Sequence, residues 1–401
     1  MKKAIGILLL MLHLPLGGFA QLPPVEASFL YIEADQRQLP TYFGHCAYRL
    51  SCPALNLDYA FTFESGGMET VADVLEANSL IALAAAPFDE FVEKYRQEGR
   101  TVYEYPLALR DGEIRRLWQM SDQIAARGAH IKADYTEFGC ALETASAIEA
   151  SVDGYLVYGP RLSEIATTKR NIVGRYSKRS DWIFLFLSVF ASSDADRELA
   201  ANRRLILPGD MARVWEEVSV RRADSTCEPI FATRTPIVYA AAINDDTAVR
   251  MPSPFVVFGF LLIWIIAISI PQWTKVGGRR TKVMARWTDF VMFTAIATVG
   301  VMMTVLYATS DTTMLNGWNR GALVFNPLPL VAWLINLRRP FKVRTRFWAY
   351  IVYTVIVACH LATFIICHEL CAPSEYVVMA ILIIRCSTNA WTLSRKTVRS
   401  R

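Results

Sequence analysis

At 401 residues, 53% of them hydrophobic and 20% charged, the chain is too apolar for one ordinary soluble domain, and its apolar residues gather at the two ends. The formal net charge of +5 is also uneven, because residues 21–252 hold 24 Lys and Arg against 33 Asp and Glu. So acidic a central part excludes a nucleic-acid binder that works through a basic surface.

Lys2 and Lys3 precede an apolar run from Ala4 to about Leu16, and small residues follow up to Ala20. Residues 1–20 therefore read as a signal peptide, too short in its apolar part for a membrane span. No Cys follows Ala20, which excludes a lipoprotein signal. Residues 21–252 are then expected outside the cytoplasmic membrane as one exported domain.

Within it, Tyr42–Leu50 reads as a strand carrying His45, with a turn over 51–54 and a second strand over Leu57–Phe63. A hairpin of these two places His45 across from about Thr62, with Ala60 and Glu64 on the same face. Thr101–Leu107 is a further strand, and Asp111–Arg127 is a helix with its N-cap at Asp111 and Ile114, Leu117, Met120 and Ile124 on one face. From Cys140, the residues Ala141, Leu142, Ala145 and Ile148 recur at helical spacing, so Cys140 stands at or near a helix start. Free N–H groups and positive potential there lower a thiol pKa and can hold an oxyanion. This makes Cys140 a candidate nucleophile, with a buried inert cysteine as the alternative. Neighbours on a strand point to opposite faces, which sets Cys46 apart from the His45 imidazole. In an oxidising compartment Cys52 and Cys227 are free to form a disulfide, leaving Cys140 reduced. His130 reads as a solvated loop residue. The exported part has no metal-spaced His/Cys cluster, no G-x-S-x-G elbow and no phosphate loop, so no metal and no cofactor are expected.

Five apolar segments close the chain, at about 255–272, 289–308, 322–337, 348–367 and 375–392, making residues 253–401 an all-α membrane domain. Basic residues fill the loops 275–286 and 338–346 and the tail after Ser394, whereas the alternate loops hold only Arg320. By the positive-inside rule the basic loops and the C-terminus are cytoplasmic, so the positive charge meets anionic lipid rather than nucleic acid. His360 and His368, with Cys359, Cys367, Cys371 and Glu369, read as a structural cluster or a Cys367–Cys371 bridge rather than a metal site. Trp318, Asn319 and Arg320 fall at the outer interface, where they either bind a substrate phosphate or anchor the loop.

Several of these segments together resemble one family. Phe43-Gly44-His45-Cys46-Ala47-Tyr48-Arg49-Leu50 is similar to the F-G-H-x-A-x-R strand of the Lnb N-terminal periplasmic domain family, Asp58–Glu64 to its next strand, and Phe138-Gly139-Cys140 to its N-C motif. Asp181–Leu185, Asp196-Arg197 and Leu205–Pro208 resemble its W…D-R…F-L-P region. Asn316–Asn319 and Phe325–Leu328 resemble the loop and N-P-L of its multi-span part. The chain departs from the pattern at Gly139, where the family has asparagine, and at Leu142-Glu143, where it has Thr-Arg. The resemblance implies an α+β, permuted papain-like periplasmic domain of the NlpC and lecithin retinol acyltransferase kind, followed by the five spans. It implies a lipoprotein N-acyltransferase of the bacterial inner membrane, with a phospholipid as acyl donor and an apolipoprotein as acceptor. Cys140 would be the nucleophile and His45 the base, with Tyr59 or Glu64 orienting His45. An envelope cysteine hydrolase, either phospholipase or peptidoglycan endopeptidase, would use the same pair, and a degenerate membrane-tethered interaction protein would use neither.

Overall fold

A computed structural model describes residues 22–399 apart from 36–40, 66–79, 129, 133, 135–138, 177–180, 242–251, 275, 277, 311–314, 316, 339–340 and 368–370. The signal peptide, His368 and Glu369 lie outside these residues, as does the Cys367 side chain needed for a bridge to Cys371. The chain divides into two compact units, Met1–Ala166 with Ala200–Ala248, and Thr167–Leu199 with Val249–Arg401.

The first unit contains strands β1 (Glu26–Ile32), β2 (His45–Cys52), β3 (Leu57–Ser65), β4 (Leu80–Pro87), β5 (Val102–Pro106), β6 (His130–Lys132), β7 (Tyr155–Val157), β8 (Ser219–Arg221), β9 (Cys227–Pro229) and β10 (Ile237–Tyr239). Its helices are α1 (Phe88–Gln97), α2 (Asp111–Arg127), α3 (Cys140–Ser151) and, after two helices of the second unit, α6 (Pro208–Trp215). Seven strands form one sheet in the order β10-β5-β1-β2-β3-β4-β6, every neighbouring pair antiparallel. The strands β7, β8 and β9 form a smaller one.

The two faces of the large sheet are covered differently. On one, α1 buries Phe88, Phe91, Val92 and Tyr95, at helical spacing, against Leu30, Ile32, Ala47, Ala60 and Val102. Each such side chain contributes roughly 1.5–3 kcal/mol through the area it removes from water. Against the other face pack α2, α3 and α6; there Tyr48 stacks on Phe61, and its hydroxyl lies 2.8 Å from Ser121 Oγ.

Four expectations change. The N-cap of α2 is Arg110, because Glu113 turns back to accept from the Arg110 N–H at 2.8 Å. His130 lies on a strand, not in a loop, since β6 pairs with β4 and sets His130 opposite Ala82. Cys52 and Cys227 do not form a disulfide: both are free thiols, Cys52 buried at the end of β2 and Cys227 exposed on β9. The β2–β3 register is shifted by two residues, with Thr62 opposite Ala47. A two-residue shift preserves side-chain parity, so His45, Thr62 and Glu64 still share a face.

The second unit has five helical segments long and apolar enough to cross a membrane, Pro254–Thr274, Arg279–Thr309, Arg320–Leu337, Val343–Ile366 and Pro373–Arg395. They correspond to α7 (Pro254–Thr274), α8 (Arg279–Thr309), α9 (Leu328–Arg338), α10 (Val343–Cys367) and α11 (Pro373–Arg399). Residues 167–199, read from the sequence as exported domain, group with these spans and supply α4 (Lys169–Tyr176) and α5 (Asp181–Phe190). Side-chain bonds account for it: Arg170 holds Asp196 and the carbonyls of Ser188, Ala191 and Ser192, closing the end of α5. Asn319 then donates to the Val189 and Phe190 carbonyls. Between the spans, Arg385 pairs with Asp289, which also accepts from Asn389 at 3.1 Å, so the buried charge is matched.

Candidate active site

The site in the first unit begins with a turn. Gly44 takes φ +81°, and a Cβ there would stand 2.9 Å from the Ile32 carbonyl oxygen. Only glycine fits both the angle and the space. The turn makes His45 the first residue of β2, opposite Ile32, where the strand end leaves its ring accessible to another element. Thr62 on β3 holds the ring from one side, with Nε2 to Oγ1 at 2.5 Å. Tyr95 of α1 lies beside it, with ring centroids 6.4 Å apart, and burial pushes its hydroxyl pKa up.

Arg49, four residues along β2 on the same face, explains the arginine in the strand motif. Its guanidinium bonds Asp58 at 2.7 Å through both Nε and Nη2, reaches Glu104 at 2.9 Å and lies 3.9 Å from the centre of the Phe88 ring. Glu104 is buried and also accepts from the Tyr239 hydroxyl at 2.7 Å. Arg49 thus ties β2, β3 and β5 together, and Glu104 extends the network to β10.

Cys140 is the first residue of α3. The preceding Gly139 is extended, at φ −109° and ψ 168°, and no side chain caps the helix start. The thiol is held well below its ordinary range: a hydrogen bond from Cys46 is the largest cause, and the charge and hydrogen bond of His45 act the same way, against the opposing effect of burial. Burial pushes Cys46 well above that range, and the adjacent Cys140 adds to the rise. Cys46 therefore keeps its proton and donates a hydrogen bond to a Cys140 thiolate. Strand parity puts Cys46 and the His45 ring on opposite faces of β2. Because α3 begins at the open end of β2, however, Cys140 meets residues of both faces, and Cys46 becomes part of the site.

The structure therefore brings together His45 and Cys140, which lie far apart in sequence, with Thr62 and Cys46. It does not bring Tyr59 to them: Tyr59 stands opposite Leu50, on the other face and well along the strand. Glu64 shares the face of His45 but pairs with Lys94 at 3.3 Å. The period-two pattern had marked Thr62 as a neighbour of His45, whereas nothing in the sequence distinguished Cys46 as a partner of Cys140. Trp318, Asn319 and Arg320 belong to the second unit. Trp318 and Arg320 are exposed, while the Asn319 side chain is used inside the fold. Among the described residues no group of three His, Cys, Asp or Glu is placed to hold a metal ion.

A pair of this kind can carry out acyl transfer: an activated thiol at an uncapped helix start, next to an imidazole held by a hydroxyl. Comparison with known families agrees in both units. Residues 21–169 match the family model described as Lnb N-terminal periplasmic domain, and residues 246–397 match that described as Lnb transmembrane domain. No curated protein and no solved structure matches the chain.

Proposed function

The chain belongs to the Lnb family, a membrane protein with a periplasmic N-terminal domain, and from that premise we propose that it is a lipoprotein N-acyltransferase working through a Cys140 thioester. The observation that carries the reading is the meeting of Cys140, at the start of α3, with His45, at the start of β2. The order of histidine strand before cysteine helix supports a permuted papain-like arrangement. Basic residues at the loops 275–286 and 338–346 and at the tail support a cytoplasmic C-terminus.

In this mechanism the Cys140 proton rests on His45, and Thr62 Oγ1, 2.5 Å from His45 Nε2, holds the ring. Sγ attacks the carbonyl carbon of a phospholipid acyl ester, and the oxyanion is met by the N–H groups at the start of α3. The ester C–O bond breaks, the glycerol oxygen takes the proton from His45, and a lysophospholipid leaves. The neutral α-amine of a diacylglyceryl-cysteine on an apolipoprotein then attacks the thioester. Its proton passes to His45, the C–S bond breaks, and amide and resting pair are restored. Gly139 is compatible with this chemistry because the oxyanion is served by backbone N–H groups, which need no side chain at position 139.

The test is expression in cells depleted of their own lipoprotein N-acyltransferase, with mass spectrometry of a lipoprotein N-terminus. The expected result is an added N-acyl chain with the wild type and none with Cys140→Ala. If the wild type adds no chain and releases free fatty acid from phospholipid instead, the protein is a hydrolase using the same pair.

A further inference from the structure

Cys46 and Cys140 make a pair whose chemistry acyl transfer does not use up. The strand motif leaves position 46 open to any residue, and here it is a cysteine. The two meet because the Gly44 turn starts β2 and Cys140 starts α3, so that a strand start faces a helix start. Cys46 gives the Cys140 sulfur two hydrogen bonds, one from its thiol and one from its backbone N–H. Both residues are free thiols, and they differ in access: Cys46 is fully buried, whereas Cys140 is partly exposed.

A thiolate within reach of a small oxidant, backed by a protonated thiol that the oxidant does not reach, is the arrangement of an attacking and a resolving cysteine. Two sulfurs in hydrogen-bond contact need only a side-chain rotation to come to bonding distance. The compartment suits the product, since this unit is the periplasmic domain and disulfides persist on that side of the membrane.

We propose that Cys46 is the resolving partner of Cys140: a peroxide oxidises Cys140, and Cys46 then closes a Cys46–Cys140 disulfide that shuts the site reversibly. The Cys140 thiolate attacks one peroxide oxygen, the O–O bond breaks, and the hydroxide released takes a proton from His45 and leaves as water. The Cys46 sulfur attacks the sulfenic sulfur of Cys140, the S–O bond breaks, and the hydroxide released takes the Cys46 proton as a second water. The two cysteines have lost two electrons and the peroxide has gained them; a dithiol reductant returns them by thiol–disulfide exchange. A hydrolase with the same pair would close in the same way, so the inference does not rest on the acyltransferase reading.

The experiment uses the full chain, purified in detergent with dithiothreitol, desalted, exposed to hydrogen peroxide, alkylated and digested with trypsin without reductant. Cleavage puts Cys46 alone in residues 38–49 and Cys140 alone in residues 133–161. Mass spectrometry is expected to find these two peptides joined, two hydrogens lighter than their sum, and dithiothreitol to separate them. In Cys46→Ala the resolving thiol is gone, so Cys140 is expected to gain two oxygens as a sulfinic acid, at least about tenfold above the wild-type level, which dithiothreitol does not remove. Cys46→Ser, which nearly keeps the volume of the side chain, is expected to behave like Cys46→Ala. Wild-type Cys140 reaching the sulfinic acid without the link, or linking to Cys52 or Cys227 instead, overturns the pair. Equal sulfinic acid in the wild type and both variants overturns it too. Acyl transfer assayed before oxidation separates the two readings: the link without transfer removes only the acyltransferase, and transfer without the link removes only the resolving role of Cys46.

Discussion

His45 in the first unit and His360 in the second have different surroundings. His45 sits on a strand end with Thr62 at 2.5 Å and the lowered thiol of Cys140 beside it, so its hydrogen bonding is met within the protein. His360 lies within α10, mostly buried, edge-on to Phe364 and within reach of the Arg320 charge. The first arrangement suits a group that gives a proton to one substrate and takes one from the next while Thr62 fixes its ring. The second holds the ring by packing against Phe364. Residue type is the same, and the partners decide the role.

The sharpest way to break the comparison is at the pair itself. Cys140→Ala is expected to reduce N-acylation by at least about 10³-fold, and His45→Ala by about 10² to 10⁴-fold, measured as initial rates on a purified lipoprotein peptide. Far-UV circular dichroism should be unchanged in both. Full activity in Cys140→Ala would remove the thioester.

Next comes the partner that holds His45. Thr62→Val is expected to lower the acylation rate about fivefold, the value of one ordinary hydrogen bond, and to change the shape of the pH–rate profile. Thr62→Ser should rescue both. A merely structural threonine would leave the profile unmoved.

Cys46 separates its own contribution from that of His45. Because Cys140 titrates below the ordinary thiol range, its alkylation by iodoacetamide should remain fast at neutral pH and slow only as the solution becomes acidic. Cys46→Ala removes the largest cause of that depression, so the titration midpoint should move up toward the ordinary thiol value and alkylation at neutral pH should slow. An unmoved midpoint would assign the whole effect to His45.

The smallest effect is expected at Tyr59. Since Tyr59 lies on the opposite face of the sheet, Tyr59→Phe should change the acylation rate by less than about twofold. A larger loss would return Tyr59 to the site and displace Thr62.

The sequence by itself determined the local elements and the character of the two parts. Apolar runs of membrane-spanning length, the period-two strands around His45 and the helical spacing after Cys140 all rest on local physics, and all reappear as elements. Parity alone also placed His45, Thr62 and Glu64 on one face, because a register error of two residues leaves it intact. Tertiary structure decided what local patterns do not encode: which strand end faces which helix start, and which buried groups find partners. Cys46 joins the site because α3 starts at the open end of β2. Glu64 pairs with Lys94 of α1, and Cys52 and Cys227 remain apart although compartment chemistry permits their bond. Residues 167–199 show the same limit, for their place among the spans depends on Arg170 and Asn319 closing the end of α5, and contacts spanning over a hundred residues leave no periodic trace in the chain.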